Sequence, residues 1–180
     1  METYRIYPDH AIYFLTFSVV QWLPVFIGEE PCRIVCESLN FCHREKSLCI
    51  NAYVIMPTHM HLIVFDADFD STRLKKTLTS FRKFTGQQLS DFCDQRMPSA
   101  FSQTLRGGNR TDRERHFWQQ SIHAEAIRNR SFWQTKLDYL HDNPRRKGLV
   151  ADPICWRFSS AAFWLTEGGG SEVRLTVIDW

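Results

Sequence analysis

The stretch CINAYVIMPTHMHLIVFDA, residues 49–67, constrains the fold more than any other part of the chain. Two runs rich in β-branched and aromatic residues flank Pro57-Thr58, and such runs read as strands. A proline between them turns the chain or ends the first strand. The segment therefore predicts strands over 49–56 and 59–67 that pair with each other.

Outside this hairpin the pattern alternates between strand and helix. AIYFLTFSVV (11–20) reads as a further strand. In the stretch beginning EEPCRIVCESLNFCHRE, residues Ile34, Val35, Leu39 and Cys42 recur at near-helical spacing, predicting a helix over 30–45. Leu74, Leu78 and Phe81 do the same over 71–90, with Ser71 as the expected N-cap. Residues 94–116, with Pro98, Gly107 and Gly108, read as a long loop, either mobile or a binding element. A fourth strand is expected around Ser121 to Ile127. SFWQTKLDYLHDNP then starts a helix at Ser131 that should stop near Asn143, because the residue before a proline avoids the α region. The domain is expected to span 1–165, with 166–180, including GGGS, as a flexible tail.

Bulk properties exclude several classes. The chain has 180 residues, 43% of them hydrophobic, which suits one domain with a sizeable core. METYRIYPDHA mixes acid, base and proline, unlike a secretory leader. The longest apolar run is about half the ~20 residues that a membrane span needs. The expectation is a cytoplasmic protein with no membrane association. Six cysteines then read as reduced thiols. Cys32, Cys36, Cys42 and Cys49 cluster near His43, but their spacing matches no common zinc finger.

Side chains two apart on a strand share a face, so His59 and His61 point the same way while Met60 and Leu62 point to the other. Two imidazoles on one face supply part of a metal shell. On the later helix, Tyr139 and Asn143 stand four apart and lie one above the other, beside an apolar stripe of Trp133, Leu137 and Leu140. Each feature alone reads more readily as structural than as catalytic. A third feature is electrostatic. The formal charge is only +2, yet residues 71–90 contain no acid and carry Arg73, Lys75, Lys76, Arg82 and Lys83. Such a face suits an anionic partner such as a phosphate backbone, or is simply a solvated helix face.

Taken together, MPTHMHLI, the basic amphipathic helix, Trp118-Gln119 and LDYLHDNPRRKGLV resemble the single-tyrosine His-hydrophobic-His transposases of insertion sequences, in particular the REP-associated tyrosine branch. The resemblance runs from about residue 10 to 165 and includes Trp156, Phe158, Ser159 and Ser160. It departs from the family at QWLPVF, which lacks the basic residues usual there. It implies an α+β, ferredoxin-like domain with a central antiparallel sheet and helices packed on it. It implies Tyr139 as nucleophile and His59, His61 and Asn143 as ligands of a divalent metal ion, Mg²⁺ or Mn²⁺. The activity implied is nicking and rejoining of single-stranded DNA near hairpins, through a covalent 5′-phosphotyrosine, in DNA transposition.

The implied partner is single-stranded or hairpin DNA, acted on by a monomer or homodimer. Besides the residues of the basic helix, Arg145, Arg146 and Lys147 are candidate phosphate contacts, as are Arg106, Arg110, Arg113 and Arg115. Trp118 and Trp133 are candidates for stacking on bases, or else core residues. Two other functions compete: a non-catalytic hairpin-binding protein with this fold, and a structural zinc protein built on the cysteines.

Overall fold

Strand alternation sets the layering of the molecule. The computed structural model describes residue 6 and residues 11–107 and 116–178. Its strands are β1 (Ile12–Ser18), β2 (Leu48–Met56), β3 (His59–Asp66) and β4 (His123–Ile127). They form one antiparallel sheet in the order β2-β3-β1-β4. Helices α1 (Glu29–Glu45) and α2 (Ser71–Arg96) make the two crossovers, followed by α3 (Ser99–Leu105), α4 (Arg130–Arg146) and α5 (Ala161–Leu165). This order and connectivity are those of the expected ferredoxin-like α+β fold.

Both faces of the sheet are covered, as two apolar layers require. Tyr13, Leu15 and Phe17 of β1 and Met60, Leu62 and Val64 of β3 pack with Val35 and Leu39 of α1 and Leu74, Leu78 and Phe81 of α2. The alternate residues Ile12, Phe14, Ile63 and Phe65 pack with Trp133, Leu137 and Leu140 of α4. Burying three large side chains contributes on the order of 5 kcal/mol, enough to fix α4 on the sheet. A bulge at Asn51 shifts the register of β2 against β3. Asn51 is fully buried and fully engaged: its amide donates to Thr176 O at 3.0 Å, and its Oδ1 accepts from Trp133 Nε1 at 2.7 Å.

Several local expectations are corrected. The N-cap of α2 is Asp70, whose carboxylate accepts from the backbone N–H groups of Thr72 and Arg73, and not Ser71. An aspartate one residue earlier can satisfy two free N–H groups at once. The stretch read as a loop over 94–116 instead holds the end of α2 and all of α3; Gly108 to Arg115 lie outside the described residues. Helix α4 does not stop at Asn143 but runs through Pro144 to Arg146. A proline in the last turn removes one hydrogen bond only, and Gly148, at φ +70°, closes the helix with its N–H on Arg145 O.

The outer edge of β2 is covered by the C-terminal part of the chain. Ile55 N donates to Phe158 O, Ser160 N to Tyr53 O and Thr176 N to Ile50 O. Such pairing removes an exposed strand edge. The segment after residue 165, expected to be a flexible tail, thus contacts the sheet, and its Val173 is 1% exposed in the core. Among the described residues no helix is long and apolar enough to cross a membrane.

Candidate active site

The site lies on the face of the sheet that α4 covers. His59 and His61 open β3 on that face, with ring centroids 4.8 Å apart. His61 is opposite Thr16 of the neighbouring β1, and its Nδ1 is hydrogen-bonded to Thr16 Oγ1 at 2.9 Å. His61 is 5% exposed, and its Nε2 is buried with no hydrogen-bond partner among the described residues. His59 is half-buried, with Nδ1 3.0 Å from Thr58 Oγ1. Each imidazole therefore has one nitrogen engaged locally.

Burial keeps both rings neutral. It lowers His59 to about 4, helped by the charge of Lys147. It lowers His61 to about 3, because a cation there would also be repelled by its neighbours, Lys136 among them. A neutral imidazole retains the lone pair that a metal ion needs.

Helix α4 brings the tyrosine to the same place. Asn129 caps it, accepting from Phe132 N at 2.8 Å. Lys136 adds a second tie, an ion pair of 2.7 Å with Glu125 of β4, with its ammonium 4.8 Å from the Phe14 ring centroid. One turn later the Tyr139 ring lies 5.5 Å from the His61 ring and 6.0 Å from the Phe14 ring. Tyr139 is 39% exposed, whereas its helix neighbours Leu137 and Leu140 are buried. The phenol is thus held against His61 and still open to solvent. Asn143, the next turn on the same side of α4, is buried at 4% exposure. The guanidinium of Arg146 lies 5.4 Å from the Tyr139 ring centroid. A surface hollow lined by Tyr139, His141, Arg145 and Arg146 adjoins this point.

The basic residues divide by position. Lys75, Lys76 and Lys83 are exposed on α2, in the layer opposite Tyr139. Arg73 and Arg82 are engaged internally. Arg73 Nε donates to Asp66 Oδ2 at 2.6 Å and its Nη2 reaches Asp66 and Asp68; Asp66 is 1% exposed. Burial raises the Asp66 carboxyl, but Arg73 and the N–H groups of Asp68 and Asp70 outweigh it and hold the carboxyl low. Arg82 donates to the carbonyls of Gln119 and Gln120. Arg145 pairs with Asp142, and Arg106 with Asp94; Arg110, Arg113 and Arg115 lie outside the described residues.

Trp118 and Trp133 are core residues, 5% and 7% exposed, with their indole N–H groups on Thr85 Oγ1 and Asn51 Oδ1. The cysteine cluster is divided: Cys32, Cys36 and Cys42 pack on the α1 side of the sheet and Cys49 on the α4 side. Among the described residues no group of three or more His, Cys, Asp or Glu side chains gathers as a metal site. Sequence reasoning missed Thr16, Lys136 and Trp22, the last with its ring 5.9 Å from that of His59. Thr16 could have been found from the strand register, whereas Trp22 carries no periodic signal.

Comparison of this arrangement with solved structures finds a REP-associated tyrosine transposase bound to a REP hairpin. The match covers 100% of this chain and 95% of that one, at 22% identity and a TM-score of 0.63. This chain has that fold. A Deinococcus radiodurans R1 protein whose assignment as a transposase is itself provisional matches over 83% of this chain and 98% of its own, at 13% identity and a TM-score of 0.49, and adds nothing to the comparison. No protein-family model and no curated protein matches the sequence.

Proposed function

We propose that this chain is a transposase that nicks and rejoins single-stranded DNA beside a hairpin, with Tyr139 as nucleophile. The observation that carries the reading is the convergence of Tyr139 on His61 across ~80 residues of sequence, with rings 5.5 Å apart. It sets a part-exposed phenol, the candidate nucleophile, against a buried imidazole, a candidate ligand. The fold shared with a transposase bound to a REP hairpin supports the substrate class.

The residues fit a divalent ion. The unpartnered Nε2 of His61 is a buried polar atom that calls for an explanation, and a ligand role supplies one. His59, His61 and Asn143 would hold the ion, Mg²⁺ or Mn²⁺; two imidazoles and an amide suit Mn²⁺ better than Mg²⁺. When bound there, the ion supplies Lewis-acid polarisation of the scissile phosphate.

The protein's own groups do the rest. Phosphoryl transfer depends chiefly on positioning and charge neutralisation. The Tyr139 Oη–P bond forms as the P–O3′ bond breaks; the phenolic proton leaves to solvent, and the departing 3′-oxygen takes one up. The product is a 5′-phosphotyrosine and a free 3′-OH, and the reverse attack rejoins strands without a nucleotide cofactor. Trp133, Leu137 and Leu140 hold the helix while the Lys136–Glu125 pair limits its roll, so Tyr139 meets the phosphate already oriented. Arg146 and Lys147, both exposed near the site, are placed to neutralise flanking phosphates. Lys75, Lys76 and Lys83 lie in the opposite layer, so they share one DNA molecule with Arg146 only if it wraps an edge of the sheet.

The test is adduct formation on single-stranded hairpin oligonucleotides with Mn²⁺. Wild type gives a covalent protein–DNA species that maps to Tyr139, and Tyr139→Phe gives none. An adduct formed by Tyr139→Phe overturns the assignment. Hairpin binding by wild type with no adduct under any divalent metal favours a non-catalytic binding protein instead.

A further inference from the structure

The turn between β1 and α1 carries a feature that the core does not need. Gln21 and Trp22 both adopt left-handed backbone, at φ 51° and φ 55°, which side chains other than glycine rarely occupy. Two successive residues of this kind are strained, and such strain persists only where the surroundings over-determine it. Here they do. Val19 N donates to Thr58 O at 2.9 Å and Phe26 N to Pro57 O at 3.0 Å, so both ends of the turn are tied to the β2–β3 turn. Val19, Val25 and Phe26 are buried, and the Phe26 ring stacks on Trp118 at 5.8 Å.

What this strained turn presents is Trp22, 56% exposed, with its ring 5.9 Å from that of His59 and nearly perpendicular to it. Hydrophobic burial cannot be the reason, since most of the indole remains in solvent. Charge cannot be the reason either: residues 19–28, VVQWLPVFIG, contain no acidic or basic side chain. The segment therefore offers a phosphate no opposing charge. An exposed aromatic face beside a phosphoryl-transfer centre is suited to stacking, which every base can satisfy.

The geometry points to a base-stacking subsite in which Trp22 receives an unpaired base of the single strand, next to the phosphate that Tyr139 attacks. This rests on the nicking activity proposed above. It gives the uncharged QWLPVF turn a role beside His59. Phosphates are neutralised on the α4 side by Arg146 and Lys147, while a neighbouring base is held flat on the β1–α1 side.

The test uses the full chain with Tyr139→Phe, so that binding is read without cleavage. The probe is a labelled hairpin oligonucleotide with single-stranded flanks, selected by binding from a pool with randomised flanks. Trp22→Ala weakens binding about tenfold, the loss of one base–aromatic stack. Trp22→Phe retains most of the affinity, and Mn²⁺ binding is the same in all three proteins. An abasic scan of the flank finds one position where removing the base weakens the Trp22-containing protein by a similar factor and the Trp22→Ala variant no further. Equal binding with and without the Trp22→Ala substitution overturns the subsite, as does a loss that remains at every abasic position. In either case, a normal adduct from the protein with Tyr139 intact leaves the nicking activity standing. Conversely, Trp22-dependent binding without any adduct retains the subsite and removes the chemistry. Absence of binding to every probe removes both.

Discussion

Thr16 makes the sharpest test of how the histidine pair is arranged. Its hydroxyl is 2.9 Å from His61 Nδ1, and His61 is 5% exposed, so little water is available to replace it. Thr16→Val keeps the shape and the β propensity but removes the hydrogen bond. Leaving a buried ring nitrogen unpartnered costs roughly 1–3 kcal/mol. For a chain of 180 residues this lowers the melting temperature by roughly 2–12 °C. The same bond should govern metal affinity. With the proton on Nδ1 facing Thr16, Nε2 keeps its lone pair; without Thr16 the tautomer and ring orientation are no longer fixed. Loss of such an outer partner typically weakens metal binding about 10–100-fold, or ~1.4–2.7 kcal/mol, the same range as the stability cost. The assay is Mn²⁺ titration of folded protein alongside thermal unfolding, with Thr16→Ser as the variant that restores both. A Thr16→Val protein that is destabilised yet binds Mn²⁺ as tightly as wild type would refute the reasoning, because the bond would then serve folding alone.

Replacing His59 or His61 with Ala should reduce Mn²⁺-dependent cleavage by at least about 100-fold while the fold survives by circular dichroism, and excess chelator should do the same to wild type; undiminished cleavage in chelator counts against the metal. Changing Lys75, Lys76 and Lys83 to Gln should reduce the dependence of binding on salt by about 0.7 in log–log slope for each single-strand phosphate left without its lysine, measured by titration over a salt series. Stability should fall in mild acid through His141, which is buried at 3% exposure, hydrogen-bonded to Ser160 Oγ at 2.8 Å and lowered by burial from 6.5 to about 4. The unfolded chain takes up a proton at His141 below pH 6.5 that the folded chain refuses until about pH 4, so the His141 contribution to stability declines across that window and is constant below it. Between pH 7.5 and 5.0 the urea-unfolding free energy of wild type should fall by about 2 kcal/mol more than that of His141→Gln.

The amino-acid sequence by itself determined everything that depends on short-range periodicity. Runs of β-branched and aromatic residues on either side of Pro57-Thr58 marked two strands, which puts His59 and His61 on one side, opposite Met60 and Leu62, because side-chain direction in a strand repeats every two residues. Helical spacing placed Tyr139 beside the apolar stripe of its helix and one turn from Asn143. Capping and chain direction were less legible. Asp70 rather than Ser71 caps α2, and α4 continues past Pro144, because each end is settled by local hydrogen bonds that several neighbouring residues could supply.

Tertiary structure alone decided what each face meets. Covering the α4 side of the sheet makes His61 a buried neutral base and brings the Tyr139 ring to 5.5 Å from it, a contact between residues far apart in the chain. It also sorted the cations. Arg73 and Arg82 look no different in sequence from Lys76 and Lys83, yet a buried Asp66 carboxylate and the carbonyls after Trp118 engage them. The physical reason is that local period is written into consecutive residues. Burial, charge pairing and the strained display of Trp22 arise only when separate segments close on one another.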